Sequence, residues 1–139
     1  MTSMIVKMLK RYPLSILCTL AITVLSLAPI GAPEVARDVP FFDKWAHFVM
    51  YGGMSLVIGF ERLWFVDSRR IKRKEKETNG LLLLVWVLLF PMFWGGLMEL
   101  GQAYLTTYRS GEYLDFLADS VGALLGYATI CCLSRVYKD

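Results

Sequence analysis

The sequence predicts an all-α protein: a bundle of four transmembrane helices with both termini in the cytoplasm. Three observations carry this. Of 139 residues, 56% are hydrophobic and only 19% charged, against about a quarter charged in an ordinary soluble domain. The apolar residues fall in four blocks, each near the roughly 20 residues that cross about 30 Å of hydrocarbon. The basic residues gather outside those blocks, and six of the fifteen Lys and Arg lie in the single run "SRRIKRKEKE".

The blocks are continuous rather than alternating, which argues against a membrane β-barrel. No aromatic residue is interleaved with the basic run, so the net charge of +3 reads as membrane topology and not as a nucleic-acid surface.

The first span is predicted over 12–30, "YPLSILCTLAITVLSLAPI", with Lys7, Lys10 and Arg11 ahead of it. A basic start before an apolar stretch also describes a secretory signal. Here "APIGAPE" would put Pro33 directly after the cleavage site, which favours an uncleaved helix. The second span, 43–66, opens on "DKWAHFVMYGG"; the third, 81–104, ends on "GGLMELGQAY"; the fourth, 113–133, opens on "YLDFLADSVGALLG". Together they form a single domain over 1–139. The charged linker 67–79 between the second and third spans reads as a solvated hinge that also contacts anionic lipid headgroups.

Orientation follows from the Lys and Arg bias. Three basic residues precede the first span, six lie in the linker and two, Arg135 and Lys138, lie in the tail, against Arg37, Lys44 and Arg109 on the other side. Both termini and the linker are therefore predicted inside, with loops 31–42 and 105–112 outside. The first loop, with Pro33, Pro40, Glu34 and Asp38, is expected to be extended and to cover part of the outer end. The aromatics of "FFDKW" are expected at headgroup level. Cys18, Cys131 and Cys132 lack a C-x-x-C spacing and read as buried small apolar residues. No G-x-G-x-x-G, P-loop or H-E-x-x-H motif is present.

The ionisable residues inside the spans converge on one end. Asp43 sits at the outer edge of the second span with His47 one turn deeper. Glu99 lies more than a turn inside the third, with Gln102 further out. Asp115 and Asp119 open the fourth. Each set shares a helix face, since residues three and four apart are neighbours: Asp43, His47 and Tyr51; Gly95, Glu99 and Gln102; Asp115, Asp119, Gly122 and Gly126. The G-x-x-x-G pair allows close helix approach, so the acids of the fourth span point where it packs. At the inner end, Glu61 and Arg62 are expected to snorkel toward the linker.

Polar groups in membrane bundles often only fasten helices, at about 0.6 kcal/mol each, but intramembrane ionisable residues are functional candidates by default. The expected site is thus an outward-facing polar pocket of Asp43, His47, Glu99, Gln102, Arg109, Asp115 and Asp119. The ligand types would suit a divalent metal, but no tight spacing marks such a site, and neither a metal nor another cofactor is expected. A carboxylate–His pair is also the equipment of a general base, though no nucleophile motif accompanies it. Arg109 is placed to receive an anionic headgroup as a fork, with Glu112 or Asp115 as its plainer partners.

The combination "DKWAHFVMYGG", "ELGQAY", and Arg109 followed by "EYLDFLADSVGALLGY" resembles the VanZ-like family of small bacterial membrane proteins, over about Asp43 to Tyr127. The family pattern D-K-x-x-H falls on Asp43, Lys44 and His47, and E-x-x-Q on Glu99 and Gln102. The Arg, Asp and G-x-x-x-G fall on Arg109, Asp115, Gly122 and Gly126. Asp119 stands where the family usually has Asn, which adds an acid to the pocket.

The resemblance implies a four-span protein of the bacterial inner membrane with an envelope-related role, the family taking its name from an accessory of teicoplanin resistance. Three functions are expected. The first is a non-enzymatic binding or remodelling module for a membrane lipid or lipid-linked envelope precursor. The second is an enzyme using His47, Glu99 and Asp119 on such a substrate. The third is a structural subunit that meets a membrane-protein partner through its Gly-rich faces.

Overall fold

Proline is well suited to the first turn of a helix, where its missing N–H would be unpaired anyway, and Pro13 opens helix α1, Pro13–Leu27. A computed structural model describes residues 6, 10–29, 39–70, 80–108 and 110–136, and among these all regular structure is helical. Three further helices follow: α2, Phe42–Arg70; α3, Gly80–Leu105; and α4, Tyr113–Val136. Two of them, α3 and α4, are long and apolar enough to cross a membrane, and α1 is apolar but shorter.

The ends differ from the expected ones for local reasons. α1 stops at Leu27, three residues early, because Ala28 precedes Pro29 and is extended, at φ −76° and ψ 148°; the proline ring disfavours a helical residue before it. α2 runs on through Arg70 into the expected linker, since nothing in "VDSRR" breaks a helix. The rest of that linker, most of the loop 31–42, Arg109, and the charged residues Lys7, Arg37 and Lys138 lie outside the described residues.

α3 is not uniform. Leu84–Leu89 is a π-helical turn, closed by the Phe90 N–H donating to the Val85 carbonyl. It ends two residues before Pro91, which lacks an N–H and crowds the preceding turn, and a π turn holds one extra residue within an α-helix.

Successive helices run antiparallel. At one end, the first turn of α1 meets Glu61 near the end of α2, and Gly59 of α2 faces Ile130 of α4. At the other end, Gln102 of α3 donates to the carbonyl of Ser26 in α1 (3.0 Å), and the Tyr108 hydroxyl donates to the carbonyl of Leu27. A buried apolar group of Ile22, Tyr51, Met54, Ile58, Leu83, Val87 and Ile130 joins all four helices. Replacing Gln102 by alanine removes one interhelical bond and is expected to cost about 0.6 kcal/mol, read as a small drop in the thermal midpoint in detergent.

α2 and α4 pack most closely, through glycines. A Cβ at Gly122 would run into the Phe48 carbonyl, and one at Gly126 would lie 2.6 Å from the Ser55 Cβ and 2.8 Å from the Gly52 carbonyl. Both glycines of the G-x-x-x-G pair are thus covered within the chain.

The distribution of polarity is inverted. Among the described residues, Pro91 and nine other buried side chains are apolar and nine are polar or charged, whereas charged groups are rarely buried in soluble domains. Outward-facing positions carry Leu17, Val24, Val49, Trp64, Phe93, Leu100 and Leu125 instead. Thr19, Thr23 and Thr129 return their hydroxyls to the carbonyl one turn back, which pairs those three donors within their own helices.

Two local expectations need correcting. Glu61 does not snorkel: it is turned inward, 8% exposed, because the first-turn N–H groups of α1 and the Ser15 hydroxyl donate to its carboxylate. Cys132 is exposed, as its position on α4 faces away from the other helices, while Cys18 and Cys131 are half-buried; all three are free thiols.

Candidate functional site

Three helix ends supply the site. The chain enters α2 through Phe41, a residue with positive φ (57°), a conformation that costs a non-glycine residue roughly 1–2 kcal/mol. The turn is held by the Phe42 N–H to the Val39 carbonyl (3.2 Å) and the Trp45 N–H to the Phe41 carbonyl (3.1 Å). It sets Lys44 and His47 on the inward side of the first turns of α2 and leaves Asp43 exposed.

The outer layer is an ion pair. Lys44 Nζ lies 2.6 Å from Glu112 Oε2 and 2.7 Å from Asp115 Oδ1. Lys44 holds the exposed Glu112 carboxyl below its usual range, through the hydrogen bond first and its charge second. Asp115 thus has Lys44 as a partner, while its expected pairing with Arg109 lies outside the described residues.

The deeper layer lies one turn further in. His47 Nδ1 is 2.9 Å from Asp119 Oδ1 and 3.7 Å from Glu99 Oε1. The three side chains are 2%, 0% and 10% exposed for His47, Asp119 and Glu99 respectively. The His47 ring is stacked by Tyr51, one turn on, at 6.5 Å between centroids and 7° between planes.

Each acid has its own support. Glu99 Oε2 accepts the Glu112 backbone N–H at 2.9 Å, so the loop before α4 is tied to α3. That approach requires Gly111, where a Cβ would run into the Glu99 carbonyl and lie 3.1 Å from the Ala103 Cβ. Asp119 fits because Gly95 has no side chain: a Cβ there would lie 2.7 Å from Asp119 Oδ2. After these contacts, Glu99 Oε1 and Asp119 Oδ2 are buried and have no hydrogen-bond partner among the described residues.

The predicted residues thus separate. His47, Glu99 and Asp119 meet. Asp115 lies above them with Lys44, and Asp43 stands at the rim, within reach of His47 and Asp115. Gln102 is engaged with α1 instead. Sequence reasoning did not place Lys44, Glu112, Gly111 or Ser26 in the site. Lys44 carried a signal, since it stands within the D-K-x-x-H pattern; the others carried none without the packing.

A groove of about 550 Å³ opens beside the triad between α3, α4 and the loop that joins them. Its walls are Phe93, Leu97, Leu100 and Phe116, and Glu99 reaches it at one side. The arrangement brings an apolar slot to the edge of a buried acidic group, with a cation, Lys44, above.

No family model, no curated protein and no solved structure matches the chain.

Proposed function

We propose that this is a VanZ-like membrane protein of the bacterial envelope. Its four helices all cross the inner membrane, with both termini and the basic linker in the cytoplasm, and it binds a lipid or lipid-linked envelope component at the outer leaflet. The inverted polarity supports the membrane setting: Leu, Val, Phe and Trp outward, with Glu61, Glu99, Asp115 and Asp119 inward, is what hydrocarbon on the outside and polar partners on the inside require. The Lys and Arg bias supports the orientation.

The observation that carries the binding reading is the contiguity of the 550 Å³ apolar groove with Glu99. An acyl or isoprenyl chain fits an apolar slot open toward lipid, while a polar head finds Glu99 and Glu112 in its lining, with Lys44 paired to Glu112. The protein purified in detergent is expected to retain such a lipid, seen by mass spectrometry of an organic extract. Glu99→Ala and Leu97→Trp are each expected to lose it while keeping wild-type helicity by circular dichroism. Unchanged retention in both folded variants would reject the reading.

One observation favours an enzyme as the second reading: a carboxylate holding an imidazole at 2.9 Å is how a general base is oriented. His47 is 2% exposed, so a substrate would have to open the outer layer first, which ranks this reading below binding. Cells with and without the protein should then differ in a lipid or glycolipid product, and identical lipid profiles would remove it. The Gly-rich face of α4 is occupied by α2, so an assembly role would need another surface.

A further inference from the structure

We infer that His47, Glu99 and Asp119 form a binding site for one divalent cation of the zinc or manganese class. One ligand atom from each of the three lies within 4.8 Å of the other two. An ion about 2.1 Å from each ligand allows at most about 4.2 Å between two of them, and even a pair at the 4.8 Å bound would need only a small side-chain rotation to close. The two distances that involve His47 Nδ1, 2.9 and 3.7 Å, already fall inside that limit.

Proximity of acids alone would not make a site. The second observation is that two buried oxygens are left over. Glu99 Oε1 and Asp119 Oδ2 have no hydrogen-bond partner among the described residues. Glu99 Oε1 faces into the triad, 3.7 Å from His47 Nδ1, on a side chain only 10% exposed. A buried acceptor without a donor costs about 1–3 kcal/mol, and more when charged. A dication bound by Glu99 and Asp119 with neutral His47 leaves no net charge in the triad and gives Glu99 Oε1 a partner.

The donor set selects the metal. Imidazole suits zinc, iron, copper and nickel, while carboxylates suit manganese, magnesium and calcium. One nitrogen and two carboxylate oxygens sit between those preferences. Three protein ligands also leave at least one coordination position open, as in sites that bind a further molecule. The supporting shell is in place: Glu99 is fixed through its other oxygen by the Glu112 N–H, and Asp119 is seated against Gly95. Such outer contacts orient metal ligands.

This inference shares residues with the lipid site but does not rest on it, and its test uses no lipid. Full-length protein in detergent is stripped with EDTA and equilibrated with zinc chloride in one arm and manganese chloride in the other. It is then desalted, and the retained metal is measured by plasma mass spectrometry, with affinity taken from competition with a chromogenic chelator. One ion per chain is expected in at least one arm. Asp119→Asn and Glu99→Gln are each expected to weaken binding by at least about tenfold, the lower end of the loss seen for outer-shell partners of metal ligands.

Circular dichroism checks that each variant is folded, and Glu99→Gln decides alone if Asp119→Asn is not. The chain has one histidine, so cobalt substituted at the site should show an imidazole ligand that can only be His47, a reading that needs no variant. Failure of both arms to load stoichiometrically overturns the inference. So does loading that is unchanged in the folded variants, which would assign the metal to the free thiols. Neither result bears on lipid retention.

Discussion

Gly122→Ala is expected to destabilise the protein by about 2 kcal/mol or more, although alanine is the better helix former. A methyl at Gly122 would meet the backbone carbonyl of Phe48, and a backbone oxygen cannot turn aside as a side chain would. α2 and α4 would have to separate, and overpacking of this kind costs about 1–3 kcal/mol.

Gly53, on α2 itself, provides the opposite case. Nothing lies within 4 Å of a Cβ placed there, so Gly53→Ala should gain up to about 1 kcal/mol from helix propensity alone. Thermal unfolding in detergent followed by circular dichroism compares the two. Shifts of the same sign would mean that the glycines do not mark the packed face.

Glu61→Ala is expected to cost about 3 kcal/mol, the largest loss from any polar substitution away from the triad. Glu61 accepts from the Leu14 N–H (2.8 Å), the Ser15 N–H (2.9 Å) and the Ser15 hydroxyl (2.5 Å). Hydrogen bonds to a charged group contribute about 1.5–3 kcal/mol each and are not additive, and an orphaned buried donor costs a further desolvation penalty. The N-terminal N–H groups of α1 also favour a negative charge. Glu61→Gln keeps the shape and one acceptor oxygen, so it should lose about half as much. Equal midpoints for wild type, Gln and Ala variants would show that α1 is held by apolar contact alone.

These two cases also show what could be read from the sequence. Four apolar blocks located four helices, because hydropathy needs no knowledge of packing. Their ends were missed where a local steric rule prevailed, as at Ala28 before Pro29, or where charged residues simply continued a helix, as at the end of α2. That His47, Glu99 and Asp119 share one level of the bundle was legible because rise per residue and antiparallel order fix it.

Their partners were less legible. Lys44 reaches Asp115 across 71 residues of sequence, and Glu112 contacts Glu99 through a backbone N–H that no residue type announces. Glu61 was misread because its depth suits snorkelling, and only the docking of α1 on α2 reveals the donors beside it. The inferred metal site carries no sequence signature, because ligand spacing along one helix is uninformative when each ligand comes from a different helix.

The π turn in α3 has a further consequence. One extra residue there offsets everything beyond it by about 100° around the helix axis, so α3 is two segments out of phase. Leu83 just before the turn and Val87 within it face the core, and Gly95, Glu99 and Gln102 face it afterwards. A helical wheel drawn through the whole of α3 at about 100° per residue would spread these five residues over about 160°. The aim of Glu99 at His47 thus depends on a residue count made more than 10 Å away along the axis at about 1.5 Å per residue. The spare residue at Leu84–Leu89 is the phase adjustment that lets one continuous helix serve an apolar core at one end and an acidic triad at the other.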